Sequence, residues 1–354
     1  MTNEVVMTAM LVGGKKIFRG SPCFVIAEIG HNHQGDFQKA KEMIRSAAEC
    51  GVDAVKFQKR DNRSLFTKAM YAKPYDNENS FGKTYGEHRE FLEFGWDQYV
   101  ELKEEAHRCK VAFMCTPFDV TSVDFLEKLD IDGYKIASGD ITNTHLLEYV
   151  ARKGRPVFVS TGASTMDEIR SAYKCIKLHN DQICLLHAVS SYPANYNDLN
   201  LRFIEVLRHE FPDVIIGYSG HDSGILAGVV AYMLGATVLE KHFTLNRAWK
   251  GTDHRFSLEP VGMRKQVRDL RRIDESLGSG LKVLQPFEVE FRAKLGKSLY
   301  FKGAHKAGHI LAREDVSIKA PGGGIPPYDL ERIIGKKLVK NVAEEHLLTM
   351  GDLE

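Results

Sequence analysis

A chain of 354 residues, 43% hydrophobic and 27% charged, has ordinary globular usage; this excludes a disordered, collagenous or small disulfide-stapled protein and leaves room for about two domains. Its 48 Lys and Arg against 47 Asp and Glu leave a net charge of +1, so no global field draws it to nucleic acid or an anionic membrane, and any basic site must be local. Cys23, Cys50, Cys109, Cys115, Cys175 and Cys184 form no CxxC pair, no apolar run nears the ~20 residues of a membrane span, and residues 1–12 lack the basic stretch of a signal peptide, so the expectation is a cytoplasmic protein with reduced, buried thiols.

Short apolar runs rich in β-branched residues alternate with helical patterns along most of the chain. Gly13-Gly14-Lys15-Lys16 lies between two short apolar runs and predicts a small hairpin covering the bottom of a barrel. Strands are then predicted over 24–29, 54–58, 111–115, 133–137, 156–159, 183–189, 214–218 and 237–239. Amphipathic helices are predicted between them, over 37–50, 97–108, 120–129, 144–152, 166–178, 201–210 and 225–234. In the first, Ala40, Met43, Ile44 and Ala47 recur at helical spacing. Eight strand–helix units in succession predict an α/β fold, a (β/α)8 TIM barrel that fills residues 1–280 together with the N-terminal hairpin. An open doubly wound sheet is the alternative; it needs a glycine-rich first turn, and Gly30-His31-Asn32-His33 is not GxGxxG. Residues 61–95 form a long polar and aromatic excursion after the second strand, with Tyr85-Gly86-Glu87-His88-Arg89 near its end. It reads equally as a functional loop or as an insertion packed on the barrel side. Beyond Gly280 the spacing turns irregular. A linker is placed at 281–295 and a small mostly-β domain at 296–354, with strand-like runs at 298–301, 316–318 and 338–342 and a rigid turn cluster at 320–327.

Every predicted barrel strand turns polar at its C-terminal end, the end at which barrel active sites lie. One such residue merely caps a barrel; polar ends on all of them do not fit that account. The strand period of two places Lys56 with Gln58, Ser219 with His221, and Glu240 with His242 on shared faces pointing into the mouth. Lys56 and Lys135 lie inside strands, where a buried lysine needs a partner. Two inward lysines imply a multiply charged anion or a Schiff base. Thr116, Ser138, Ser160, Ser190 and Ser219 add hydroxyls around the rim, and Gly139, Gly162 and Gly220 let backbone N–H groups approach a ligand. Cations, hydroxyls and glycine turns together favour a phosphate-bearing substrate over separate buried salt bridges. His221 and His242, at the ends of consecutive strands, suit a divalent metal such as Mn2+, with water completing its shell. His31 and His33 are weaker candidates, because a His-x-His after the first strand can serve only to shape its turn.

The motifs Glu28-Ile29-Gly30-His31-Asn32-His33-Gln34-Gly35, Lys56-Phe57-Gln58, Thr116-Pro117-Phe118, Tyr134-Lys135-Ile136-Ala137-Ser138-Gly139, Ser160-Thr161-Gly162, Tyr192-Pro193, Gly217-Tyr218-Ser219-Gly220-His221 and Glu240-Lys241-His242-Phe243-Thr244 run in this order along nearly the whole chain. Together they resemble the sialic acid synthase family, and the tail resembles that family's antifreeze-like (SAF) domain. Gly82-Lys83-Thr84-Tyr85-Gly86-Glu87-His88 and Trp249-Lys250-Gly251-Thr252-Asp253-His254 resemble the branch that includes the animal N-acetylneuraminate synthase. The resemblance implies a transferase that condenses phosphoenolpyruvate with N-acetylmannosamine, as the open-chain aldehyde, and water, giving N-acetylneuraminate and phosphate. It implies that Lys56, Thr116, Lys135, Ser138, Ser160, Ser190 and Ser219 form the phosphoenolpyruvate pocket. It implies His221 and His242 as metal ligands, for Mn2+ with Mg2+ or Co2+ as alternatives, and Gln58, Tyr192 and Asp253 near the acceptor sugar. Glu28 falls beside the reacting carbons, where it or a metal-bound water activates the attacking water. The catalytic candidates are thus Glu28, Lys56, Lys135, His221 and His242. A domain-swapped homodimer, each tail capping the other barrel, is implied as well. Family members often carry an arginine in the tail's turn cluster that reaches the partner subunit's sugar site; Ala320 stands at that place here, which leaves two readings open, that Lys319 substitutes for it or that the tail only closes the mouth.

Other acceptors fit the same chemistry: mannose, or a diacetamido-dideoxyhexose giving legionaminate or pseudaminate. A Schiff-base aldolase or lyase working through Lys56 or Lys135 is a second class of reading. A binding protein with the tail as its working module is a third.

Overall fold

The computed structural model describes residues 9–354. Residues 1–8, on which most of the signal-peptide reading falls, lie outside the described residues. The chain divides into two compact units, Met1–Leu277 and Gly278–Glu354.

In the first unit, β1 (Met10–Val12) and β2 (Lys15–Ile17) pair antiparallel as the expected hairpin. The strands β3 (Phe24–Gly30), β4 (Ala54–Lys59), β5 (Ala112–Pro117), β6 (Gly133–Ile136), β7 (Val157–Ser160), β8 (Ile183–Ala188), β9 (Ile215–Gly220) and β10 (Val238–His242) are all parallel. They close into a barrel in chain order, β10 pairing back onto β3. With its surrounding helices this is the TIM barrel predicted from the sequence.

The inward positions of each strand change character from bottom to top. β3 presents Phe24 and Ile26, then Glu28; β4 presents Ala54, then Lys56 and Gln58; β5 presents Ala112 and Met114, then Thr116. β7 presents Phe158, then Ser160, and β10 presents Val238, then Glu240 and His242. The apolar members pack into one buried cluster with Met10, Val12 and Ile17, so the hairpin plugs the bottom of the barrel. Burying each such side chain contributes about 1.5–3 kcal/mol. The interior is tight enough that a Cβ on Gly217 would lie 2.5 Å from Leu186 Cδ2 and 2.7 Å from the Val238 carbonyl oxygen. Outward residues, among them Val55, Phe57, Phe113, Val157 and Leu239, join the larger core under the helices. Asp53 ties this end together: its carboxylate accepts from the Val25 N–H (2.8 Å), Lys15 (2.7 Å) and Arg271 (2.8 Å).

Three parts differ from expectation. The helix Pro260–Leu277 was not predicted, because its buried stripe (Met263, Val267, Leu270) is thin and set among arginines and acids. The excursion after β4 contains three short helices, Asn62–Leu65, Lys68–Tyr71 and Tyr85–Phe91. The last is fixed at its start by reciprocal capping, Thr84 Oγ1 accepting from the Glu87 N–H while the Glu87 carboxylate accepts from the Thr84 N–H. In the second unit, β11 (Ser298–Phe301) and β12 (Val316–Lys319) pair antiparallel over a core of Leu299, Phe301, Leu311, Ile325, Leu338 and Leu348. The run at 338–342 is no strand: Leu338 and Val342 make only isolated bridges, to Leu353 and His305. The segment read as a linker carries the helix Val289–Leu295. All six cysteines are free. Among the described residues, no helix is long and apolar enough to cross a membrane.

Candidate active site

The polar ends of the barrel strands surround a cavity of about 720 Å3. Strand register sets its centre, since it places Glu28 beside Lys56, Gln58 beside Thr116 and Ser219 beside Glu240. Lys56 Nζ lies 2.6 Å from Glu28 Oε2 and 3.7 Å from Glu240 Oε1, and donates to Thr116 Oγ1 at 3.0 Å. Lys135 Nζ lies 3.6 Å from the same Glu240 oxygen, which also accepts from Ser219 Oγ at 3.0 Å. Gln58 Nε2 donates to Glu28 Oε1 at 2.7 Å. All four charged groups are at most 4% exposed.

Charge balance decides their states. Burial opposes the charge on Glu240, but Lys135 and Lys56 outweigh it and hold that carboxylate below its usual range. Burial acts against Lys56 too, yet Glu240 and Glu28 raise its affinity for the proton. Lys135 has one carboxylate partner, and burial lowers it. Glu28 goes the other way: burial, with Glu240 nearby, raises it in spite of Lys56. The core therefore offers two cations held by a firm anion, plus one carboxyl whose affinity for a proton burial raises.

His221 and His242 face each other beside this core, with ring centroids 5.4 Å apart. Burial draws both down to about 4, so both are neutral near pH 7. His221 Nδ1 sits 2.8 Å from the Val189 carbonyl and so carries the proton, leaving its other nitrogen with a lone pair. His242 Nδ1 is buried, has no hydrogen-bond partner, and lies 3.6 Å from Asp253 Oδ2. Two neutral imidazoles, one with an orphaned nitrogen next to a carboxylate, are a donor set that fits a divalent ion with open positions. Around the other side, Ser160 Oγ is buried without a partner and Ser138 Oγ accepts from the Gly162 N–H at 3.1 Å. A Cβ on Gly162 would lie 2.4 Å from Ser190 Oγ and 2.8 Å from Ser138 Oγ, so this turn has to be glycine for the hydroxyls to converge. Tyr192, 54% exposed, leans its ring over His221 at 4.3 Å.

Every site residue named from the sequence lines this one cavity: Glu28, Lys56, Gln58, Thr116, Lys135, Ser138, Ser160, Ser190, Tyr192, Ser219, His221, His242 and Asp253. Of the weaker candidates, His31 lines it as well, whereas His33 is a buried turn residue stacked on Phe94 at 4.3 Å. Lys319 forms an ion pair with Glu345 inside the second unit. Three lining residues escaped the sequence reading. Glu240 was placed on the inward face but given no role, although it is the anion that both lysines share. Arg60 and Arg89 were not singled out, and both reach the cavity, Arg89 from the helix Tyr85–Phe91. Arg60 donates to Gln58 Oε1 (2.8 Å) and lies 3.1 Å from His31 Nε2, and Arg89 donates to the Tyr85 hydroxyl (2.9 Å) and lies 3.3 Å from His31 Nδ1; the neutral imidazole can accept from one of the two guanidinium groups. Among the described residues, neither guanidinium makes an ion pair with a carboxylate.

Comparison with known proteins agrees with this geometry. The sequence profile of the NeuB family matches residues 43–282, and that of the SAF domain matches residues 297–354. The chain belongs to the NeuB family. Human N-acetylneuraminate-9-phosphate synthase is 43% identical over 336 residues, covering 95% of this chain and 94% of that one. The N,N'-diacetyllegionaminic acid synthase of Legionella pneumophila is 38% identical over 344 residues, 95% of this chain and 96% of that one. Among solved structures, the N-acetylneuraminic acid synthetase of Leptospira borgpetersenii, determined with citrate, superposes with a TM-score of 0.70 at 35% identity, covering 81% of this chain and 96% of that chain. The NeuB-family chain is thus a phosphoenolpyruvate-dependent nonulosonate synthase, a barrel enzyme with a SAF tail.

Proposed function

We propose that the cavity condenses phosphoenolpyruvate with open-chain N-acetylmannosamine and water, releasing phosphate and N-acetylneuraminate, with a divalent ion, Mn2+, held by His221 and His242. The observation that carries this reading is the convergence of Lys56 and Lys135 on Glu240 beneath a ring of hydroxyls. Phosphoenolpyruvate carries a phosphate and a carboxylate, and its arrival lets these anions compete with Glu240 for the two ammonium groups. Ser138, Ser160 and Ser190 supply neutral donors to the remaining oxygens. When bound, the ion supplies Lewis-acid polarisation of the acceptor carbonyl.

In the reaction the enol C3 of phosphoenolpyruvate bonds to the aldehyde C1 of the sugar, whose oxygen takes up a proton. Water adds to the electron-poor C2 and loses a proton; the C2–O bond to phosphate then breaks as the C2 hydroxyl gives its remaining proton to the departing phosphate, leaving the C2 carbonyl. Glu28, whose carboxyl is raised by burial, accepts the water's proton, and Lys56 at 2.6 Å stabilises the carboxylate before that transfer and again once the proton has been passed on. Gln58, bonded to Glu28 and Arg60, and Asp253, beside His242, orient the acceptor. Holding both substrates in one mouth turns an encounter into a positioned attack.

A second reading of the acceptor, N-acetylmannosamine 6-phosphate, is favoured by Arg60 and Arg89. The enol adds three carbons, so a phosphate on C6 becomes one on C9, as in the name of the human relative. Two guanidinium groups without a carboxylate partner are a receptor for such a phosphate. The test mixes purified protein, Mn2+ and phosphoenolpyruvate labelled with 18O at the bridging oxygen with each acceptor. The expected result is a product of the summed mass less phosphate, with the label in inorganic phosphate and activity lost to EDTA. No phosphate release with any hexose overturns the reading.

A further inference from the structure

The second unit carries a set of donors that the condensation does not use. His305, His309 and Asp315 each offer one ligand atom, and these atoms lie within 4.8 Å of one another. The two imidazoles stack with centroids 4.3 Å apart and planes 27° apart, so both turn an edge to the same carboxylate. Nε2 of His309 is 2.7 Å from Asp315 Oδ2, and Nε2 of His305 is 3.8 Å from Oδ1.

The backbone fixes these positions independently of the side chains. His305 and Val342 exchange N–H···O bonds of 3.0 and 2.9 Å. Gly308 donates to the Leu338 carbonyl at 2.7 Å, and Leu338 donates back to that of His309 at 2.9 Å. The Asp315 carbonyl accepts from the Lys302 N–H at 2.8 Å, and its Oδ2 accepts from the Ala312 N–H at 2.8 Å. A turn cap accounts for Asp315 with at most His309; it gives His305 no reason to face the same carboxylate.

We propose that His305, His309 and Asp315 form a zinc-type site that clips the loop 302–315, separate from any metal in the barrel. Two imidazoles and one carboxylate, all partly open to solvent, match an ion that takes mixed nitrogen and oxygen donors, with water in the fourth place. Tetrahedral Zn2+, with bonds of roughly 2.0–2.1 Å, needs its donors roughly 3.3 Å apart. The two imidazole–carboxylate separations, 2.7 Å to Oδ2 and 3.8 Å to Oδ1, bracket that value, and one donor atom from each of the three residues lies within 4.8 Å of the others. A hard ion such as Mg2+ prefers a shell of oxygens that these residues do not provide.

The test uses full-length protein stripped with chelator and carrying His221→Ala and His242→Ala, which removes the barrel imidazoles. Titration with Zn2+ alone should show about one equivalent bound per chain, with a rise in melting temperature, because an ion that binds only the folded form stabilises it. Co2+ in place of Zn2+ should give the visible absorption of a tetrahedral ion. Adding His305→Ala or Asp315→Asn should abolish both the uptake and the melting shift. No stoichiometric uptake in that background, or uptake that survives loss of the tail donors, overturns the proposal. If the background fails to fold, His305→Gln in the otherwise unaltered chain should lower Zn2+ stoichiometry by one equivalent, and an unchanged stoichiometry overturns it equally.

Discussion

Replacing Arg89 with Met tests which acceptor the cavity is built for. Arg60 and Arg89 share His31 between them, and Arg60 also stacks on Phe118 at 3.7 Å from the ring centroid. Burial and the charge of Arg89 draw Arg60 down to about 10, against a partial counter-effect from Glu93, so positive charge here is in excess. A phosphate in reach of Arg89 would gain a charge-assisted hydrogen bond of about 1.5–3 kcal/mol. At about 1.4 kcal/mol per decade, Arg89→Met should lower kcat/KM for the 6-phosphorylated acceptor by roughly 10- to 150-fold. The uncharged sugar makes no such contact, so its kcat/KM should move by no more than a few-fold. The assay is initial phosphate release with each acceptor at saturating phosphoenolpyruvate, and the quantity read is the ratio of the two kcat/KM values. If the variant leaves that ratio where the unaltered protein has it, the arginines do not read an acceptor phosphate. A matched loss with both sugars would place them on phosphoenolpyruvate or on the scaffold instead.

Glu240→Gln removes the anion shared by two buried lysines, and losing one partner of a buried pair costs about 3–5 kcal/mol. The melting temperature without ligand should drop, and phosphoenolpyruvate should raise it more than in the unaltered protein; an equal shift in both would contradict the substitution of ligand anion for carboxylate. Gly162→Ala drives a methyl into Ser190 and Ser138, so KM for phosphoenolpyruvate should rise on the order of tenfold through lost positioning. An unchanged KM would move the substrate away from these hydroxyls. In the second unit, Asp352 accepts from the Thr349 N–H (2.8 Å) and Lys340 (2.7 Å), and, despite burial, these bonds lower its carboxyl from 3.8 to about 2. A depressed folded value means stability that is complete above pH 4 and lost as pH falls through 2, amounting to about 2 kcal/mol. Asp352→Asn should remove that step from an acid-unfolding curve, and an identical curve would refute the assignment.

The barrel was legible because its strands are written twice. Each run is apolar enough to be a strand, and its inward series switches from Phe24 and Ile26 to Glu28, or from Val238 to Glu240 and His242, at the point where plug gives way to mouth. Parity then assigned Lys56, Gln58, Ser219 and His242 to one face with no knowledge of distances. The same rule placed Glu240 inward but could not tell that it bridges two lysines, because Lys56 and Lys135 come from strands far from it in sequence. Arg89 was harder still. It sits on a helix of seven residues whose only clear signal is the Thr84/Glu87 cap, within a stretch that reads as polar loop. The helix Pro260–Leu277 was missed for the opposite reason: its charge density hides a stripe of three buried apolar side chains and one buried glutamine. His305 and His309 lie between β11 and β12 in a segment tied by isolated bridges, where no period exists to extrapolate.

The mouth holds two lysines and two carboxylates out of solvent, an arrangement that costs stability unless each charge is matched. The match is uneven. Glu240 is held ionised by both lysines, whereas Glu28 is raised towards its neutral form. Fixing Glu240 as the permanent counter-ion keeps Lys56 and Lys135 from being driven to neutrality in the empty barrel, so the cationic pocket exists before substrate enters. It also leaves Glu28 free to change protonation without unbalancing the core, since Lys56 lies within 3.7 Å of both carboxylates. A site with one carboxylate would have to choose between holding the lysines charged and moving a proton. The second carboxylate, contributed by the strand that closes the barrel, removes that conflict, and it predicts that Glu240 and Glu28 fail differently: the first in binding and stability, the second in turnover with phosphoenolpyruvate still bound.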